Sequence, residues 1–252
     1  MVRTPPPLQR DLLSRPVCSF CFMRKKAISR VKSKSPIQGF DMPTKGAKIG
    51  PCILSGQFVR LEPLRKRHVA ELYKSARRLD WSLLLGQLRS KEDVERRIEN
   101  GLEAEKSDSE YAFAVTLIQQ DKVVGSTAYL SVNSKHKRVE IGSTWYTPDQ
   151  WGTAVNPECK FLLLRHAFED WGAVRVQFGT DIRNMHSRRA ILKLGAKFEG
   201  ILRNHGILPD GRVRDAVLYS IIPSEWSEAK AKLLARIRAF QDQPSVDKTS
   251  DV

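Results

Sequence analysis

From about residue 57 onward the spacing of apolar positions changes in an orderly way along the chain. Phe58, Arg60 and Glu62 alternate with Val59, Leu61 and Pro63, a period of two that predicts a short strand running into a turn. Val69, Leu72, Tyr73 and Ala76 recur instead at helical spacing. Ser90, followed by Lys91, Glu92 and Asp93, sets an N-cap ahead of first-turn acids and predicts a helix to about Glu105. Residues 111–118 and 123–132 read as a hairpin turning near Asp121, and 138–147 as a further strand. Residues 157–171 predict a helix with apolar side chains around nearly its whole girth, hence a buried one, ended by Gly172. Val174, Val176 and Phe178 alternate on a strand, and residues 184–194 form a helix closed by Gly195. Strands at 197–205 and 214–222 flank Pro209, Asp210 and Gly211, a strong turn signal, and Ser224 caps a last helix from Glu225 to about Phe240.

The predicted order is β-α-α-β-β-β-α-β-α-β-β-α, with no internal repeat. Antiparallel hairpins around a single parallel β-α-β unit predict an α/β (α+β) fold, a mixed, mostly antiparallel central sheet flanked by helices. One domain is expected over residues 51–242. Residues 1–50, with Pro5–Pro7, a basic run at Arg24–Lys26 and no sustained apolar period, read as a disordered basic leader, and 243–252 as a disordered tail. A targeting segment and a true start at Met42 are the alternatives for the leader.

Composition narrows the class. Hydrophobic content of 41% and charged content of 28% in 252 residues are those of a soluble globular protein, and no apolar run approaches the ~18 residues of a spanning helix, so a cytoplasmic protein without a membrane partner is expected. The formal charge of +15 is uneven: the first 40 residues hold nine Lys/Arg against one acid, Asp11. Such a balance attracts polyanions, whether nucleic acid, acidic lipid or a phosphorylated cofactor. Only Phe20, Phe22 and Phe40 punctuate the basic arm and no recognition motif is present, so nucleic acid is expected as an added partner of the arm at most. Cys18 and Cys21 form one C-x-x-C without the second pair a structural zinc site needs; with Cys52 and Cys159 they read as reduced thiols, and no metal is expected.

The stretch from Thr147 to Glu158 joins a strand to the buried helix through Gly152, Thr153 and Ala154. Small residues there let the backbone approach a ligand, and successive N–H groups at a helix start can line a concavity for pyrophosphate. Asn156 and Pro157 fit a helix start. Two other phosphate loops are excluded, since neither G-x-x-x-x-G-K-[ST] nor G-x-G-x-x-G occurs.

This stretch resembles the acyl-CoA loop, Q/R-x-x-G-x-G/A, of GNAT-superfamily N-acetyltransferases, closest to the branch of ribosomal-protein and other amine acetyltransferases. The likeness runs from about Gln57 to Phe240. It includes Arg60–Leu64, Val139–Gly142, Asn184–Ala190, Leu194–Ala196 and Asp210–Arg212 in order. One position departs: the family's Gln/Arg falls on Asp149, with Gln150 one residue later.

The resemblance implies a GNAT fold splayed at the acetyl-CoA site, and direct attack of a neutral amine on the acetyl-CoA thioester. Acetyl-CoA would enter as co-substrate, and the acceptor would be a protein N-terminus or a small amine. Trp145, Tyr146 and Thr147 map to the strand that offers backbone groups to pantetheine and the oxyanion; core packing is their plainer role. Gly152, Thr153, Ala154, Val155 and Asn156 map to the pyrophosphate loop. Asn184 and Ser187 match the family's N-x-x-S, Ser187 near the CoA sulfur, while Asn184 alone would read as an N-cap. Arg188 and Arg189 would meet phosphates or form a solvated face; Lys193 reads as solvated. For the base, Glu140, His205 and Asp215 are candidates, as is water alone. A CoA-binding protein without catalysis is the runner-up, and no covalent mechanism is expected.

Overall fold

The computed structural model describes residues 48–242 except Leu85. The basic leader to residue 47, with Cys18 and Cys21, and the tail from 243 lie outside the described residues.

Short strands β1 (Leu54–Ser55) and β2 (Val59–Pro63) lead into helices α1 (Val69–Ala76) and α2 (Lys91–Lys106). Then follow β3 (Tyr111–Leu117), β4 (Lys122–Asn133) and β5 (Arg138–Tyr146). Helix α3 (Val155–Arg165), β6 (Arg175–Asp181), α4 (Met185–Leu192), β7 (Lys197–Ile207), β8 (Val213–Ile221) and α5 (Pro223–Gln241) complete the order. The strands form one eight-stranded sheet in the order β1-β2-β3-β4-β5-β6-β8-β7. Only β5 and β6 run parallel; the other neighbours are antiparallel. The mixed, mostly antiparallel sheet is the expected one.

Alternation within single strands explains the layers. On β3, Phe113 and Val115 pack with α3 and α5 residues such as Leu162, Leu163, Trp226 and Leu233. Ala112 and Ala114 face the other way, toward Leu72, Val94, Ile98 and Trp81 of the α1–α2 side. Both faces are therefore covered, which is why β3 lacks a polar face and why small residues suffice on one side. α2 starts where its cap predicts: Ser90 Oγ accepts the Asp93 N–H at 3.1 Å and the Asp93 carboxylate accepts the Ser90 N–H at 3.0 Å.

Several boundaries depart from expectation. β1 was not foreseen; two residues carry too little pattern. α3 begins at Val155, two residues before Pro157, because Pro inside the first turn gives up an N–H that has no helical partner anyway. Beyond Arg165 the helix widens into a π turn over His166–Asp170, and Gly172 ends it at φ +75°. Val174 precedes β6 and is exposed. α5 is capped at Ile222, whose N–H donates to the Glu225 carboxylate at 3.1 Å; Ser224 lies inside the first turn.

Candidate active site

The β5–β6 ladder covers only Arg138–Glu140 against Arg175–Gln177. Past Glu140 the two strands part while β6 continues paired with β8 to Asp181. On its other side β5 carries a bulge within the same stretch. Ala128 pairs with Gly142 and Ser126 with Trp145, so Thr127 of β4 faces both Ser143 and Thr144, and Ser143 sits at φ +46°. The sheet thus opens a gap, with irregular backbone along one wall, between the end of β5 and the end of β6.

β5 runs on through Tyr146 and Thr147 into the Pro148–Gln150 turn and the Trp151–Ala154 loop. Gly152 adopts φ +78°, a conformation that favours glycine, and a Cβ built there meets no atom within 4 Å, so the loop is open on that side. The backbone N–H groups of Gly152, Thr153 and Ala154 donate to none of the described residues. The Thr153 hydroxyl pins the turn, donating to the Gln150 carbonyl at 2.8 Å and accepting the Val155 N–H at 3.3 Å. Unspent N–H groups at the start of α3 lie on the positive end of its dipole, where negative charge is favoured. Asp149, the departure from the family motif, is answered locally: its carboxylate takes Arg78 Nη1 at 2.7 Å and Gln150 Nε2 at 3.0 Å. Partial burial works against its charge, but those hydrogen bonds, with the Arg78 charge, hold its pKa below the usual value. Thr147 is buried, and its hydroxyl, beside Asp149, falls short of hydrogen-bond geometry.

Trp151 fastens the loop to its surroundings. Its Nε1 donates to the Tyr146 carbonyl at 3.1 Å, and its ring lies 5.6 Å from that of His186 on α4. The structure thereby brings the loop and the head of α4 together. Asn184 is the N-cap of α4, its Oδ1 accepting the Ser187 N–H at 2.9 Å. The Ser187 hydroxyl makes no hydrogen bond among the described residues and is half-buried. Arg188 is committed to the fold through Nε to Tyr219 Oη at 3.2 Å and Nη1 to the Ile182 carbonyl at 3.0 Å, whereas Arg183 and Arg189 are exposed.

The candidate bases are not gathered in one place. Glu140 stands where β5 and β6 part, its carboxylate accepting Gln177 Nε2 at 3.0 Å and lying against Gly179. Arg214 is buried nearby on β8; burial lowers its pKa against the pull of Asp181 and Glu140. His205 is exposed on β7 and forms no hydrogen bond or ion pair among the described residues. Since β6 and β8 intervene between β5 and β7, His205 lies about 14 Å across the sheet from Glu140, and the register sets it roughly 17 Å further along the strands, beside Asp215 rather than Ser220. Asp215 accepts the Asn204 N–H at 2.8 Å and so braces the hairpin. Trp145 packs edge-on to Trp81, with centroids 5.5 Å apart, and Tyr146 is buried in the other core layer, its phenol pushed well up by burial. Cys159 is fully buried and its thiol is pushed up to about 12, so it is no nucleophile.

Sequence reasoning missed the groups behind the bulge. Lys160 of α3, buried, donates to the hydroxyls of Thr127 and Thr144. The signal was available: charged residues, Glu158, Lys160 and Arg165, in a helix with no solvent face to put them on.

Comparison with known proteins gives a consistent picture. Residues 59–197 match the family model described as Acetyltransferase (GNAT) domain. A GCN5-related N-acetyltransferase from Brucella melitensis is 30% identical with a TM-score of 0.70, covering 77% of this chain and 89% of its own. The uncharacterized N-acetyltransferase YoaA of Bacillus subtilis (strain 168) is 28% identical over 101 residues, 40% of this chain; the match spans little more than half, 56%, of that relative. Mycobacterium smegmatis RimJ in complex with CoA-disulfide shares the fold at 18% identity and a TM-score of 0.60, with 71% and 88% of the two chains covered.

Proposed function

This chain belongs to the GNAT acetyltransferase family, and from that premise we propose that it transfers the acetyl group of acetyl-CoA directly to a primary amine of a protein N-terminus or a small molecule. The observation that carries this reading is the set of unspent N–H groups at Gly152, Thr153 and Ala154, on a loop that is open at Gly152 and follows the end of β5 past the β5–β6 fork. The residues fit a CoA pyrophosphate: small side chains, a helix start and no uncompensated carboxylate. Bound there, acetyl-CoA supplies an activated acetyl thioester; every other task falls to the chain.

In this reading the loop from Gly152 to Asn156 anchors the diphosphate, while Trp145, Tyr146 and Thr147 offer backbone groups along the pantetheine path. Parting of β5 from β6 leaves β5 backbone groups free to serve a ligand rather than a neighbouring strand. Asn184 fixes the first turn of α4, and Ser187, with its hydroxyl unspent, protonates the departing thiolate. Glu140 at the fork of the strands takes the amine proton, directly or through water; its place in the gap favours it over exposed His205 and over Asp215, which braces the hairpin. A cytoplasmic location follows from the same reading; among the described residues no helix is long and apolar enough to cross a membrane.

Calorimetry with acetyl-CoA tests the binding half, with an expected Kd of roughly micromolar. Gly152→Asp should abolish binding in a folded protein, because a carboxylate would stand about 4 Å from phosphate oxygens. Thioester turnover with a panel of amines tests the catalytic half. Binding without turnover on any amine would leave a CoA-binding protein only.

A further inference from the structure

α3 carries a buried amine that the reaction outlined above does not use. Lys160 is 6% exposed. Its Nζ donates to Thr127 Oγ1 at 3.2 Å and to Thr144 Oγ1 at 2.5 Å. The two hydroxyl oxygens are 2.8 Å apart, and Thr144 Oγ1 also donates to the Gly142 carbonyl at 3.2 Å. These are the groups of the bulge itself: Thr127 is the β4 residue that faces the doubled Ser143–Thr144 position.

The charge balance around this amine is one-sided. An ammonium has three protons to place, and the two that are placed go to neutral hydroxyls. Glu158, two residues earlier, spends both oxygens on the N–H groups of Gln57, Phe58 and Val59. No carboxylate from β1, β2, β4, β5 or α5 acts on Lys160; Cys159, buried beside it with Tyr146, is the one titratable group among the described residues that does. Burial lowers the amine to about 8, with a small opposing pull from Cys159. Buried charges are ordinarily paired. This one has its acceptors, the Thr127 and Thr144 hydroxyls, on the irregular stretch that walls the β5–β6 gap, where negative charge would develop on an acetyl oxygen.

Resting on the acetyl-transfer reading, we propose that Lys160 is a positioning residue: its ammonium pins the Thr127–Thr144 pair and sets a positive charge behind the bulge, so that turnover, rather than acetyl-CoA affinity, depends on its protonation. The counter-charge it lacks in the free protein is the charge that develops during the reaction. A neutral amine can still hydrogen-bond both hydroxyls, so the protonated form supplies the charge and the neutral form only the geometry.

The test compares full-length wild type with Lys160→Met, a swap of similar length that removes the charge and leaves the two threonines hydrogen-bonded to each other. Turnover of acetyl-CoA with one common amine is measured from pH 6.5 to 10, and the ratio of the two kcat values is taken at each pH, so that ionisation of the acceptor cancels. The ratio should be about thirty or more below pH 7.5 and fall toward a small constant above pH 9, while calorimetry gives the same acetyl-CoA Kd for both proteins. A ratio that does not change with pH would make Lys160 a structural residue and overturn the assignment; so would a ratio near one throughout. Thr144→Val, which keeps both volume and charge, guards against a folding defect in the first variant. It should lower kcat by a factor that is constant with pH, and a pH-dependent factor would transfer the titration away from Lys160. If the wild type binds acetyl-CoA but turns over no amine, the acetyl-transfer reading fails first and this assignment with it; a flat ratio in an active wild type overturns Lys160 alone.

Discussion

Lys160 carries a stability consequence separate from turnover. A lysine that titrates near 10.5 unfolded and about 8 folded disfavours the folded state wherever it must be charged, a penalty of about 3 kcal/mol. The sign is fixed by the downward shift: the penalty is fully present below pH 8 and disappears as pH rises from 8 to 10.5. Lys160→Met is therefore expected to melt several degrees higher than wild type at pH 7, with the difference shrinking above pH 8 in a pH series of calorimetric scans. A variant less stable than wild type at pH 7 would show that the threonine hydrogen bonds outweigh desolvation. Ser187 makes the opposite case: its hydroxyl is committed to nothing among the described residues, so Ser187→Ala should leave melting and acetyl-CoA affinity alone. Turnover should fall about tenfold to a hundredfold, because a thiolate with an ordinary pKa near 8.5 departs without much help. Equal loss of binding and turnover would make Ser187 a residue that places the cofactor.

At the scale of elements, α3 shows most clearly how sequence pattern and structure relate. Its buried girth was legible because Phe161, Leu162, Leu163 and Leu164 leave no polar face; its start was not, because proline is tolerated anywhere in a first turn. The loop before it was legible through its small residues, Gly152, Thr153 and Ala154, and its likeness to the family loop, whereas the bulge beside it was not, since Ser143 and Thr144 carry no residue-type mark of an extra position. The gap between β5 and β6 entered only through family resemblance: period-two patterning marks a strand, not the point at which its neighbour leaves it. Likewise spacing alone cannot show the one side-chain hydrogen bond by which Asn184 caps α4.

A second tie of α3 was invisible in the pattern. Glu158 is fully buried and accepts the Gln57 N–H at 2.8 Å on Oε1, and those of Phe58 and Val59 at 2.7 and 2.8 Å on Oε2. Burial raises its pKa, the three donors pulling the other way. Gly56 is needed beneath it, since a Cβ there would collide with the carboxylate. The loop ahead of β2 is thus fastened to the helix that follows the Gly152–Ala154 loop. Glu158→Gln replaces one acceptor oxygen with an NH2 group facing other donors, and should cost about 2–3 kcal/mol in urea unfolding at pH 7. An unchanged midpoint would mean that water satisfies those N–H groups as well.

For the molecule as a whole, the parting of β5 from β6 is more than a place to put a ligand. Among the described residues, three residue pairs, extended by the Val174 N–H donating to the Lys137 carbonyl at 2.7 Å, join β1–β5 to β6–β8 by backbone hydrogen bonding, so the sheet has a seam, and α3 and α5 beneath it are the splint. Amide hydrogen exchange should resolve that seam. In the free protein, amides of 142–146 and 178–181 should exchange by local opening faster than those of β3 and β4, whose ladders are paired and covered on both sides. Acetyl-CoA at a hundred times its Kd would add about 2.7 kcal/mol to global stability. Its slowing of exchange should be steepest along the seam, since a pantetheine chain laid there acts as the missing strand. Uniform slowing across all eight strands would mean the two halves already open and close as one, and that the gap weakens nothing.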